Sequence, residues 1–184
     1  MPTTKTLCDV ADVSYFFYDN ACYNKPPTSK ETCEGPNSKY YWYENYKDMT
    51  GTLGNSCMAK KRDLFEIYVQ NQDVCKMLVL LEDDKVIGRA LVWKLASVKG
   101  MKKEVEGIEY FMDRQYTIKD SDVQKFRNYA EKEGWAYKAY NNHHSYSTIK
   151  FNGEELGVHM QVHVAAKRYG NYPYMDTFRR YNPE

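Results

Sequence analysis

Long apolar runs are missing from this chain. The longest, Met77-Leu78-Val79-Leu80-Leu81, falls far short of the roughly 18 residues that suggest a membrane-crossing helix. The polar opening MPTTKTLCDVADV lacks the apolar stretch of a secretory leader. The expectation is a cytoplasmic protein with no membrane partner. An excess of one charge is missing too: 26 basic residues face 25 acidic ones, a formal net charge of +1. No basic stripe stands ready to release counterions from nucleic acid, so general DNA or RNA binding is not expected. The mild basic bias of the last third includes Lys167-Arg168 and Arg179-Arg180, which leaves local phosphate contacts open. The five cysteines, Cys8, Cys22, Cys33, Cys57 and Cys75, form none of the C-x-x-C pairs that structural zinc sites use. Reduced, mostly buried thiols are the simplest reading. A disulfide or metal site among Cys8, Cys22 and Cys33 is the alternative. Neither a phosphate-binding G-x-x-x-x-G-K-[ST] loop nor a G-x-S-x-G elbow occurs, which removes the motif-bearing nucleotide and serine hydrolases.

What is present suffices for a core: 184 residues, 42 % of them hydrophobic, read as one globular domain. The 18 tyrosines, with many Asn and Lys, suit an A/T-rich source genome such as those of many phages. Residues 1–56 carry turn signals at Lys25-Pro26-Pro27 and Glu34-Gly35-Pro36-Asn37 and an aromatic knot at Tyr40-Tyr41-Trp42-Tyr43. They read as an irregular segment wrapping a core at 57–184. The knot is either a cover for one end of the sheet or a stacking platform for bases or a partner.

The spacing of Leu64, Phe65 and Tyr68 predicts a helix over Cys57–Gln72. Val74–Leu81, a turn through Glu82-Asp83-Asp84-Lys85, and Val86–Leu95 form an antiparallel hairpin. Ser97–Gly107, rich in Lys and Glu, reads as a solvent loop or hairpin tip. Ile108–Ile118 is a central strand. Ser121-Asp122-Val123-Gln124 has the form of a capping box opening a helix over 121–133, with Gly134 as its stop. Trp135–Tyr140 returns as a strand, and Asn152-Gly153 turns a last hairpin between Ser147–Phe151 and Glu154–Val164. The fold class is α+β, with a mixed, mostly antiparallel sheet and flanking helices.

Met77–Tyr140, about a third of the chain, resembles the core of the GNAT acetyltransferase fold. The likeness lies in the order of a hairpin carrying Gly88-Arg89-Ala90-Leu91-Val92-Trp93, a strand with Asp113-Arg114-Gln115-Tyr116-Thr117, a helix and a strand. In that family the link from strand to helix is a Q/R-x-x-G-x-G/A loop whose amides hold the coenzyme A pyrophosphate. Here the link is Ile118-Lys119-Asp120-Ser121-Asp122, without glycine. Ser121 and Gln124 are placed to consume the free N–H groups, and Asp120 and Asp122 set negative charge where phosphate would sit. The resemblance thus implies the fold without a cofactor. A second resemblance runs through Gly54-Asn55-Ser56-Cys57-Met58, Gly88–Trp93, Met112–Thr117 and Tyr172-Pro173-Tyr174-Met175-Asp176-Thr177. These runs are similar to uncharacterised accessory proteins of tailed phages and imply a viral protein acting in the infected bacterial cytoplasm.

Charged side chains within strands are costly unless paired or facing a cleft. Arg89, Asp113 and Arg114 therefore either bridge neighbouring strands as an Arg–Asp pair or build a polar pocket with the ring of Trp93 or Tyr116, suited to a nucleotide or an acidic peptide. Tyr174 and Asp176 of the phage-like run complete the candidate binding set. His159 and His163 share one face of Val158–Val164 if it is a strand, about 13 Å apart and too far for one metal; in a helix they would form an H-x-x-x-H pair, with no third ligand evident. His143-His144 have no nucleophile beside them. Cys57 at a helix start is either a packing residue or a thiol with a lowered pKa. No catalytic residue and no metal ligand is assigned. The leading expectation is a non-catalytic phage protein, of anti-defence type, that binds a host or defence macromolecule or sequesters a small nucleotide. A divergent acyltransferase using acetyl-CoA is the alternative, and the oligomeric state stays open.

Overall fold

The computed structural model describes residues 6–7, 13–16, 50–55, 71, 73–82, 85–141, 147–164 and 176–178. The helix expected over Cys57–Gln72 falls outside them but for Asn71, as do the aromatic knot, His143-His144, Tyr174, and every cysteine except Cys75, which is buried and not in a disulfide. The fold is α+β. Strands β1 (Thr6–Leu7), β2 (Val13–Phe16), β3 (Cys75–Glu82), β4 (Lys85–Lys94), β5 (Ser97–Gly100), β6 (Tyr110–Thr117), β7 (Ala136–Lys138), β8 (Thr148–Phe151) and β9 (Glu154–Gln161) accompany helices α1 (Gly51–Gly54) and α2 (Val123–Glu133). The strand order is β1-β2-β3-β4-β6-β7-β8-β9-β5. All neighbours are antiparallel except β6 and β7, which run parallel and are joined through α2, as a parallel pair requires a crossover.

The apolar residues 77–80 sit in a strand that is buried on both faces. Alternation sends Met77 and Val79 to one layer with Leu91 and Trp93 of β4, and Leu78 and Leu80 to the other with Ala90 and Val92. On this second face α2 lays Phe126, Tyr129 and Ala130 against the sheet, with Met112 and Tyr137. The opposite layer continues through Phe111, Ala136, Ile149, Leu156 and Val158.

Helix α2 ends as its sequence dictates. Gly134 takes the left-handed conformation at φ 73°, and its N–H meets the carbonyls of Ala130 and Glu131, a closure that favours glycine. Its start departs from expectation. A single 3-10 turn, Asp120–Asp122, precedes it, and Asp122 at the N-cap is already helical, with no side-chain cap bond. The Ser121–Gln124 capping box does not form, because a box needs an extended N-cap residue and the 3-10 turn takes that geometry away. Gln124 instead donates to the Asn128 side chain.

A second departure concerns 97–107, expected as a solvent loop or hairpin tip. Its first four residues are strand β5, paired from Ser97 with Gln161 to Gly100 with Val158. The pairing satisfies backbone groups along β9 that charged side chains left invisible in the sequence. The chain then curls back so tightly that a Cβ on Gly100 would lie 1.8 Å from the Lys103 carbonyl oxygen. The Asn152-Gly153 turn matches expectation, with φ 51° and 76°, the mirror-image turn that suits hairpin twist. The N-terminal segment, read as irregular, contributes β1 and β2, and β2 pairs with the edge of β3 from Val13 with Leu80 to Phe16 with Met77.

Candidate anion-binding face

The register of β6 on β4 passes from Ala90 with Gln115 to Val92 with Met112, so Asp113 and Arg114 together oppose Leu91. Strict alternation would send these two neighbours to opposite faces. The extra residue of a bulge re-aims one of them. Both face the layer of Leu91, Trp93 and Phe111: Asp113 bonds Thr177, whose neighbour Phe178 packs on Trp93 and Phe111, and Arg114 lies over Tyr116, which stands directly opposite Arg89.

Two guanidinium groups thus share one ring. The Arg89 guanidinium carbon is 4.6 Å from the Tyr116 ring centroid and that of Arg114 is 4.8 Å away, inside the range of cation–π attraction. Arg89 is 4 % exposed and Tyr116 8 %, while Arg114 is half-buried. Ring and inner arginine are therefore enclosed, and Arg114 is the more accessible of the three. The Arg114 Nε is buried and has no hydrogen-bond partner.

Asp113, wholly buried, holds a different set of partners. Its Oδ1 accepts the Arg114 backbone N–H at 2.8 Å and the Thr177 hydroxyl at 2.7 Å, and its Oδ2 accepts the Thr177 N–H at 3.0 Å. Burial pushes its carboxyl above the ordinary aspartate value, opposed by the charge of Lys138 and by the bonds from Thr177 and Arg114. Lys138 is itself 1 % exposed and pairs in register with core residue Ile149. Among the described residues no ion pair joins Asp113 to Arg89 or Arg114, so the strand-bridging Arg–Asp pair does not form. Trp93 lies on the same face but is fully buried, edge-on to Phe178 at 5.2 Å. It belongs to the core, and the aromatic member of the polar group is Tyr116. Asp176 opens the short turn Asp176–Phe178. Lys138, Thr177 and Phe178 were not singled out from sequence; only alternation in the short Tyr137-Lys138-Ala139 run and the nearness of Thr177 to Asp176 hinted at them.

Past the bulge, side chains close the edge of β6 that faces away from β4. Asn141 donates to and accepts from the Gln115 backbone, at 2.9 and 2.8 Å, and Thr52 does the same for Thr117, at 3.1 and 2.8 Å. Each imitates a missing strand, because β7 pairs with β6 only at Phe111 and Met112. At the start of α2, Asp122 lies 3.5 Å from Lys125, and Asp120 adds a second negative charge in the same turn. His159 in β9 and His163, two residues past the strand's end, are exposed, and among the described residues no three His, Cys, Asp or Glu side chains gather as metal ligands. No helix among them is long and apolar enough to cross a membrane. Compared with models of known protein families, with curated proteins and with solved structures, the chain matches none of them.

Proposed function

We propose that the chain is a non-catalytic binding protein of the tailed-phage accessory kind, acting in the infected bacterial cytoplasm to sequester a small nucleotide. The observation that carries this reading is the pair of guanidinium groups on the Tyr116 ring. Guanidinium grips phosphate with two parallel hydrogen bonds and stacks on planar rings, so one site supplies both kinds of contact a nucleotide needs. The depth of Arg89 and Tyr116 favours a small ligand over a macromolecular surface.

The strand–helix–strand order β6-α2-β7, with its parallel pairing, supports a GNAT-like core. Two features support the loss of coenzyme binding from that core. Asp120 and Asp122 at the start of α2 oppose a pyrophosphate there, and Asn141 and Thr52 occupy the edge of β6 that β7 leaves unpaired.

The test is a thermal-shift titration of the purified protein against nucleotides and acetyl-CoA, with an acetyl-transfer assay alongside. A nucleotide at about 100 times its Kd stabilises by about 2.7 kcal/mol, a rise of about 5–10 °C for a chain of this size. Acetyl-CoA is expected to leave the midpoint unchanged. A rise with acetyl-CoA together with acetyl transfer overturns the reading and makes the chain an acyltransferase.

A further inference from the structure

Strand β5 is last in the strand order and pairs on one side only, with β9. Within β9 the Val158 N–H turns to the Ser147 carbonyl, on the β8 side, while the Gly157 carbonyl accepts the Met101 N–H, on the β5 side. By alternation Ser97, Lys99 and Met101 turn their backbone groups to β9, and Val98 and Gly100 turn theirs outward. Among the described residues nothing bonds those outward N–H and C=O groups. Residues 98–106 line a groove of about 500 Å3 at this edge. We propose that the edge docks an extended segment of a partner protein in which apolar and acidic residues alternate, so that the segment adds a strand to the sheet.

The two faces of β5 set that chemistry. Val98 and Val105 pack against the core layer, and a Cβ on Gly100 would lie 2.8 Å from the Val105 Cγ2. An incoming side chain on this inner face therefore meets apolar surface. Lys99 points to the outer face, where its ladder neighbours Ser97, His159 and Gln161 are exposed and none is an acid. Among the described residues Lys99 forms no ion pair, whereas Lys103 of the groove is taken up by Glu154. The groove's own acids, Glu104 and Glu106, belong to the returning chain, whose Lys103 carbonyl approaches Gly100 from the inner side. An acidic side chain set across from Lys99 gains an opposite-charge cross-strand pair. A second copy of the chain fits worse. The antiparallel register that uses the outward groups of Val98 and Gly100 in both copies sets Lys99 opposite Lys99, and a lysine so placed guards an edge against self-pairing.

The test follows amide exchange in the full chain by 15N–1H NMR during titration with a capped peptide of alternating Val and Glu. One control peptide replaces every Glu by Lys, and another is N-methylated throughout and so cannot donate to a strand. The expected result is saturable binding of the Val-Glu peptide in which exchange of the Val98 and Gly100 amides slows in proportion to occupancy. Lys99→Glu, an exposed change, weakens that peptide by up to about fivefold, the worth of one cross-strand charge pair, and turns the preference to the Val-Lys peptide. Binding that leaves both amides unprotected, equal binding of the Glu and Lys peptides, or undiminished binding of the N-methylated peptide overturns the inference. So does the absence of binding at millimolar peptide. If the two amides are protected in concentrated protein alone and lose that protection on dilution, the occupant is a second copy and the inference falls.

Discussion

Asp113 is held in a buried position by three accepted hydrogen bonds and the charge of Lys138, yet burial outweighs them and raises its carboxyl pKa above 3.8. Between the ordinary value and the raised one, the folded chain binds the proton more tightly than the unfolded chain does. Stability contributed at this position is therefore greatest at low pH and falls as pH rises through that window. Asp113→Asn removes the titration. The stability difference between wild type and variant, read from denaturation midpoints at pH 4 to 7, should move against the wild type as pH rises; a difference that is flat or grows in its favour would show that Lys138 and Thr177 outweigh burial. Sequence marked Asp113 as costly within a strand. It did not show which partners meet that cost, because Lys138 and Thr177 lie 25 and 64 positions away along the chain.

The hairpin β3–β4, the helix α2 with its glycine stop, and the Asn-Gly hairpin were legible because their causes are local: an apolar run, a left-handed terminus and a turn dipeptide. The bulge at Asp113-Arg114 and strand β5 were not, because both are settled by a neighbouring strand's register. Gly88 shows how closely elements are fitted. A Cβ there would lie 2.8 Å from the Phe126 Cε2 and 3.1 Å from the Thr117 Cγ2, and Phe126 is wholly enclosed. Gly88→Ala is expected to cost about 1–3 kcal/mol by overpacking in urea unfolding. Adding Phe126→Leu should recover part of that loss; a double variant as unstable as the sum of the singles would place the strain elsewhere.

At the scale of the molecule, the turn Asp176–Phe178 ties a late part of the chain to the central strands: Thr177 bonds Asp113, and Phe178 stacks edge-on against Trp93 at 71° and Phe111 at 87°. Phe178 is half-buried, so Phe178→Ala should cost about 2 kcal/mol, less than a fully enclosed Phe, and lower the Tm by about 4–8 °C. Hydrogen exchange offers the sharper check: the Thr177 amide, bonded to Asp113, should lose protection in this variant while amides of β3 and β4 keep theirs. Equal loss across the sheet would mean that Phe178 supports the whole layer.

The sequence by itself determined the α+β class, the main hairpins and helix α2, and the charged strand positions Arg89, Asp113 and Arg114, since propensity, periodicity and turn chemistry act over a few neighbouring residues. Tertiary structure alone decided that Asp113 and Arg114 face the same way, that Tyr116 and not Trp93 carries both guanidinium groups, and that Thr177 meets Asp113. Such pairings depend on strand register and on contacts between residues far apart in the chain, where a shift of one position turns a side chain to the other face.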